Sequence, residues 1–156
     1  MKKRNIIIFI ALICLCIQSS GQQNIYKKGG IYFNKNTDDY YTGTYIEYYE
    51  NDSIKATSYI KKGLLDGIQT IYFTNGQKKE LRSYINGKKH GTWISWHKNG
   101  TQSAEANYSN GKKNGKWSIW DESGMLRYKM YYLDDKKVGT WIRYDEDGKI
   151  IEKRDF

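Results

Sequence analysis

Large apolar residues are arranged along this chain in short segments that recur with a fixed period of 24 residues. Each period begins with a glycine, and a segment in which aromatic or aliphatic residues alternate with polar ones follows it. A second segment of the same kind comes after a polar break. The phased glycines are Gly43, Gly67, Gly91, Gly115 and Gly139. A period of this length is typical of stacked copies of one supersecondary unit, in which each copy contacts mainly its neighbours.

The residues of one repeat predict a β-hairpin followed by a glycine-rich connection. The first segment is rich in Trp, Tyr, Ile and Thr, which favour strands, and the second ends on Tyr84 or Tyr108. Asn75-Gly76 and Asn99-Gly100 lie between the two segments. This dipeptide favours a type I′ turn, in which both central residues have positive φ.

The fold class that follows is all-β. Glycines interrupt any helical period within about ten residues, so a helix is excluded from the repeats. Five units at two strands each predict ten short strands over residues 43–156. We expect an elongated antiparallel array of β-hairpins, with residues 22–42 forming an N-terminal cap or linker in which Ile31-Tyr32-Phe33 is a short strand.

Aromatic residues follow each phased glycine at two fixed distances. One set comes five residues after the glycine: Tyr48, Tyr72, Trp96, Trp120 and Tyr144. The other comes two residues after it, is interrupted by Gln69, and comprises Tyr45, Trp93, Trp117 and Trp141. Because the two positions are three residues apart in a strand, the two sets should lie on opposite faces. One ladder can form the core and the other can bind a partner. The second set is our candidate for partner binding, and the alternative is that its rings hold neighbouring hairpins together.

Pairs of lysines occupy the same connection in three successive units. They are Lys88, Lys89, Lys112, Lys113, Lys136 and Lys137. The functional interpretation is a basic edge that binds anionic lipid headgroups, envelope polysaccharide or an acidic partner. The alternative is that these lysines keep exposed edges soluble and block edge-to-edge aggregation.

The first 21 residues have the pattern of a secretory signal peptide. A basic start at Lys2-Lys3-Arg4 precedes an apolar run over residues 6–17 and small residues before Gln22. An uncleaved anchor and a lipoprotein that uses Cys14 or Cys16 are the alternatives. Cleavage would remove both cysteines and lower the net charge from +9 to +6, because three basic residues leave. We therefore expect a periplasmic, outer-membrane-associated or extracellular protein, for which nucleic acid is not an expected partner.

No pattern in the chain predicts catalysis or a bound cofactor. The two histidines, His90 and His97, have no zinc-ligand spacing and are expected in solvated turns. No nucleophile arrangement and no phosphate-binding loop before a helix can be recognised. We expect no catalytic residue, no metal site and no cofactor.

The Asn-Gly-Lys-Lys-x-Gly-x-Trp pattern of residues 86–93, which residues 110–117 share, resembles the MORN repeat in its bacterial variant form. The resemblance extends over residues 43–154 and implies a non-catalytic β-hairpin array that serves as an interaction or scaffold module. Bacterial members similar to this chain include the YwqK-like antitoxin family, which implies a toxin as partner. An exported chain fits an envelope immunity or adhesion role better than an intracellular antitoxin.

The function expected from the sequence is that of a non-enzymatic, exported protein–protein interaction module. Its partner would be another protein, such as a toxin or an envelope protein, and the chain itself is expected to be a monomer. The alternative function is peripheral binding of anionic lipid or polysaccharide through the lysine edge. A steep loss of binding at high salt would distinguish the alternative.

Overall fold

The computed structural model describes residues 24–156, and every regular element in that range is a β-strand. The predicted signal peptide, with Cys14 and Cys16, lies outside the described residues. The strands are β1 (Ile25–Lys28), β2 (Ile31–Asn34), β3 (Gly43–Tyr48), β4 (Ile54–Lys61), β5 (Leu64–Tyr72), β6 (Lys78–Ile85), β7 (Lys88–Lys89), β8 (Gly91–Trp96), β9 (Gln102–Ser109), β10 (Lys112–Lys113), β11 (Gly115–Trp120), β12 (Leu126–Leu133), β13 (Lys136–Lys137), β14 (Thr140–Tyr144) and β15 (Ile150–Asp155).

Ten of these strands follow one another through a single antiparallel sheet. The order from one end to the other is β3, β4, β5, β6, β8, β9, β11, β12, β14 and β15, so that each strand pairs with its neighbours in the chain. The two-residue strands β7, β10 and β13 extend the same sheet by pairing with β6, β9 and β12. This arrangement confirms the predicted elongated array of antiparallel hairpins.

The predicted position of the type I′ turns was wrong. Asn75 and Asn99 do not have positive φ, and only the glycine after each of them does. The amide of Gly76 donates to the Phe73 carbonyl, which closes a type I turn, and the following glycine in the left-handed region forms a bulge. The register shift between Ile71 and Tyr72 records that bulge. A three-residue loop of this kind needs one residue with positive φ instead of two.

The type I′ geometry occurs instead in the return connections. Asn86 and Gly87 both have positive φ, at 47° and 76°, between the paired residues Ile85 and Lys88. Asn110-Gly111 repeats this geometry one unit later. The connections are therefore tight two-residue turns, and the lysine pairs begin the strand that follows each turn.

The phased glycines have a conformational reason to recur. Gly91 has a φ of 69° and Gly115 a φ of 99°, in the region that L-residues rarely adopt. In the register of the sheet, Gly91 lies opposite Tyr108 and Gly115 lies opposite Tyr132. Each glycine thus begins a strand with backbone torsions that a side chain would strain, directly across from a large ring.

The N-terminal cap, residues 24–42, is attached to the array through Tyr32. Strands β1 and β2 form a separate two-stranded sheet, with β2 at the predicted position of the short strand. The Tyr32 amide donates to the Gly63 carbonyl at 2.9 Å, and its ring lies 4.9 Å from the ring of Tyr45. Tyr32 is only 1% exposed, and Ile60 beside this end of the array is fully buried. The best-protected part of the described structure is therefore the junction between the cap and the first repeats.

The array is one sheet thick over most of its length, and its two faces differ. One face carries a row of rings, and the other leaves Tyr59, Ile68, Ile85 and Leu133 about half exposed. Within residues 24–156, the structure contains no helix with the length and apolar character needed to span a membrane.

Candidate binding face

Seven rings form a continuous stack along one face of the sheet. Neighbouring centroids in this row are 5.0–5.3 Å apart. Its members, in order, are Tyr84, Trp93, Tyr108, Trp117, Tyr132, Trp141 and Phe156, and the side of the sheet that carries them is the ring face. The centroid distance is close to the spacing of about 4.8 Å between adjacent strands, so each strand contributes one rung.

Each tryptophan of the stack also forms a hydrogen bond with the backbone of the preceding strand. The indole Nε1 of Trp93 donates to the Ser83 carbonyl at 2.9 Å, and that of Trp117 donates to the Asn107 carbonyl at 3.1 Å. Trp141 makes the same contact with Tyr131 at 3.0 Å. These indoles are partly buried, so the polar edge is satisfied while both ring faces remain in contact.

Three of the predicted partner-binding residues therefore lie together in one row. Trp93, Trp117 and Trp141 are in the stack, where they connect neighbouring hairpins. Tyr45 lies apart from them, against Tyr32 of the cap. Gln69 occupies the intervening position, where its side chain hydrogen-bonds to Ser58 and separates Tyr45 from Tyr84.

The six lysines of the predicted basic edge divide into two sets. Lys89, Lys113 and Lys137, the covering lysines, lie over the stack with Nζ at 4.5–4.9 Å from two ring centroids each. Because side chains alternate along a strand, the outer lysines, Lys88, Lys112 and Lys136, belong to the opposite face. One outer lysine, Lys112, is paired with Asp134 at 4.0 Å.

The covering lysines have no carboxylate within 4.0 Å among the described residues. Their charges are balanced only by the negative faces of the rings, an interaction that contributes about 0.5–1 kcal/mol at exposed sites. The ring face therefore presents three cations at intervals of two strands, or about 10 Å. An anionic group that approached from solvent would meet these ammonium groups first.

The other aromatic set does not form a stack. Trp96 and Trp120 are three residues beyond Trp93 and Trp117 on the same strands, so alternation places them on the opposite face. Neither ring has an aromatic neighbour at stacking distance in residues 24–156. The backbone of Trp120 accepts a contact from His97 Nε2 at 3.0 Å. His97 is partly buried by this link between units, which corrects its expected place in a solvated turn.

The environment of the stack keeps its tyrosines protonated. Burial raises the pKa of Tyr84, and the nearby Arg82 guanidinium offsets only part of that increase. Burial likewise raises the pKa of Tyr108. Arg82 itself lies over Trp93 at 5.2 Å and is bound by Glu80 at 2.7 Å. Cationic charge at the ring face is therefore stable at neutral pH.

The part of the chain that the structure describes contains no group of three His, Cys, Asp or Glu side chains placed to hold a metal ion. What the geometry offers is a long, repetitive surface of rings and cations.

Five consecutive segments of the sequence match the family model described as MORN repeat variant. The matched residues are 41–62, 65–86, 89–112, 113–134 and 137–156. The chain belongs to the MORN repeat variant family. MORN repeats commonly bind proteins or membrane lipids and are generally non-catalytic modules, which agrees with a ring face built from five repeated units. No curated protein is significantly similar to the chain.

Sequence reasoning did not find every rung of the MORN stack. Tyr84, Tyr108 and Tyr132 had been recognised only as strand ends, and Phe156 had not been singled out. Their recurrence opposite the phased glycines was the signal that could have identified them. Tyr32 gave no periodic signal, because it lies in the cap outside the repeats.

Proposed function

We propose that the chain is a non-enzymatic, exported interaction module that binds an acidic protein surface with its ring face. The observation that carries this proposal is the row of covering lysines, each held over two rings and none with a carboxylate partner in residues 24–156. Rings fix the lysine stems at regular intervals, so less side-chain freedom is lost when a partner binds. An immunity- or antitoxin-like protein that blocks an acidic toxin surface is the specific role we favour, with the chain acting as a monomer.

Periodicity also supports a second candidate function. Three equivalent cations about 10 Å apart can meet a repeating anionic polymer or a layer of anionic headgroups equally well. Polysaccharide or lipid of the envelope is therefore the alternative partner, and the same lysines would bind it.

The test compares two triple variants that remove the same charge from opposite faces. We expect Lys89→Gln/Lys113→Gln/Lys137→Gln to lose the partner, because the ring face loses its free cations. The matched control, Lys88→Gln/Lys112→Gln/Lys136→Gln, changes the same three connections and should retain the partner. Each tagged mature chain, residues 22–156, is purified from its native envelope at low and high salt, and the copurifying molecules are identified.

The outcomes separate the candidates. A single stoichiometric protein that is retained by the control at high salt and lost from the ring-face variant supports the protein-binding function. Lipid or polysaccharide that washes off with salt supports the alternative, since exposed charges are screened beyond about 8 Å at physiological ionic strength. Equal loss from both variants would contradict the proposed face, because only net charge would then matter.

Export is tested separately by fractionation of cells that produce the full chain. We expect the mature protein outside the cytoplasm with Gln22 at its N-terminus. A full-length chain found in the cytoplasm would contradict the exported role and leave the binding proposal standing.

A further inference from the structure

The ring stack ends at Tyr84 because the next repeat position carries an amide instead of an indole. Gln69 occupies the position that Tyr45, Trp93 and Trp117 hold in other repeats. Its Nε2 donates to Ser58 Oγ at 2.9 Å, and its Oε1 accepts a long hydrogen bond of 3.5 Å from the Tyr84 hydroxyl. The amide is satisfied and only 8% exposed, but it is much smaller than an indole.

A cleft of about 300 Å³ lies over this position. Ala56 and Ile71, a cross-strand pair of β4 and β5, line it beside Gln69. Tyr32 of the cap and Tyr84 of the stack line it as well. The volume is at the lower end of the range of about 300–1,000 Å³ typical of ligand sites, and it is large enough for one aromatic side chain.

The surroundings of this Gln69 cleft resemble those of the intact rungs. Trp93 lies between two rings, Tyr84 and Tyr108, with Lys89 above it. The Gln69 position has Tyr84 on one side and, 24 residues before Lys89, Leu65 in place of the covering lysine. An aromatic ring that entered the cleft would therefore continue the stack over an apolar neighbour.

The rim of the cleft is predominantly cationic. Lys27 Nζ lies 4.9 Å from the Tyr32 ring and has no carboxylate within 4.0 Å among the described residues, whereas Glu47 is paired with Lys55 at 4.0 Å. Partial burial opposes the charged form of Lys27, but the hydrogen bond with Tyr32 and the charge of Glu47 outweigh it and raise its pKa. Arg82, with its guanidinium held by Glu80, lies at the other side.

We propose that the Gln69 cleft receives an aromatic side chain of the partner protein, flanked by an acidic residue that contacts Lys27. The inserted ring would replace the missing rung and act as the central anchor of the interface, as buried Trp and Tyr anchors do in other interfaces. This inference rests on the proposed function, because it names the part of the partner that the ring face recognises.

The chain supplies its own blocking variant, Gln69→Trp. Trp already occupies this position in three other repeats, so the substitution fills the cleft with a residue that the array accommodates. The probe is a blocked Glu-Trp-Glu tripeptide, with blocked Glu-Ala-Glu as its control. Binding to the mature chain is followed by NMR, with the side-chain amide signals of Gln69 as the site-specific reporter.

We expect Glu-Trp-Glu to shift the Gln69 amide signals in a saturable way and Glu-Ala-Glu to leave them unchanged. Gln69→Trp should keep its melting temperature or raise it, and should bind the peptide more weakly by roughly tenfold or more, the scale of a hot-spot anchor. Undiminished binding to Gln69→Trp, or shifts confined to other parts of the sheet, would overturn the inference.

A second pair of variants leaves every buried residue intact. Lys27→Glu reverses the exposed rim charge and should weaken Glu-Trp-Glu binding, while Lys28→Glu makes the same change on the next residue and should not. This pair decides the question even where Gln69→Trp does not fold. A native partner that binds Gln69→Trp normally but is lost from the covering-lysine variant would reject the aromatic anchor and keep the proposed function. A partner retained by both variants would reject the ring face itself.

Discussion

At the scale of single residues, tryptophan is chosen in the stack for its edge as well as its faces. The Trp117 ring lies 5.3 Å from both Tyr108 and Tyr132, and its Nε1 donates to the Asn107 carbonyl. A phenylalanine could form the two ring contacts but has no donor. The hydrogen bond holds the indole across the strand boundary, so the ring overlaps the preceding hairpin as well as its own.

Substitutions at Trp117 should separate these two contributions. Trp117→Ala is expected to lower the free energy of unfolding by about 3–5 kcal/mol, because it leaves a gap in the stack. Trp117→Phe keeps the ring contacts and should lose about 1 kcal/mol for the hydrogen bond, with some further loss of packing. Urea denaturation measures both values.

The control for this comparison is Trp120→Phe. Trp120 is on the same strand but has no stacked ring and no indole hydrogen bond within residues 24–156. Its substitution should change stability less than Trp117→Phe does. An equal or larger effect at Trp120 would contradict the assignment of the stack as the main contact between hairpins.

At the scale of the elements, two different turns alternate along the array. The hairpin tips are type I turns completed by one glycine, whereas the return connections are type I′ turns with two positive φ values. The return turns also hydrogen-bond to one another, since the Gly111 amide donates to the Lys89 carbonyl at 2.8 Å. They therefore form a second line of contact between units, beside the ring stack.

The conformational requirement of a return turn can be measured at Gly111. Its φ is 89°, and a methyl group added there would contact nothing within 4 Å. Gly111→Ala should therefore destabilise the protein through backbone strain alone, by about 1–2 kcal/mol. Thermal or urea unfolding tests this value, and Lys112→Ala on the adjacent exposed residue should have little effect. A Gly111→Ala variant as stable as the unsubstituted chain would show that the turn relaxes to another type.

At the scale of the whole molecule, contacts are confined to neighbouring units, and the cap protects one end. Such arrays have stabilities close to a sum of unit and interface contributions, so damage at one end should remain local. Tyr32 is the residue of the cap that contacts both the Gly63 carbonyl and the Tyr45 ring.

Loss of the Tyr32 ring should therefore open one end of the array. Tyr32→Ala is expected to increase amide hydrogen exchange in β3, β4 and β5, because the buried junction is lost. Exchange in β14 and β15, at the far end of the sheet, should remain unchanged. Uniformly faster exchange along the whole chain would show instead that the array unfolds as one cooperative unit.

The sequence by itself determined the all-β hairpin array, the five units and the strand positions. These features depend on local properties: glycines at a fixed period, alternation of apolar and polar residues, and turn residues between them. Alternation also determined that Trp93 and Trp96 lie on opposite faces, because successive side chains along any strand point to opposite sides.

Only the tertiary structure decided which aromatic set forms the stack. Trp93 stacks on Tyr84 and Tyr108, which belong to two other strands, so the contact depends on the register between hairpins. Register likewise brought Lys89 over these rings and left Lys88 on the other face. Turn type followed from how many residues the paired strands leave between them. The cleft at Gln69 depends on all of these together, since a missing ring becomes a site only where its neighbours remain in place.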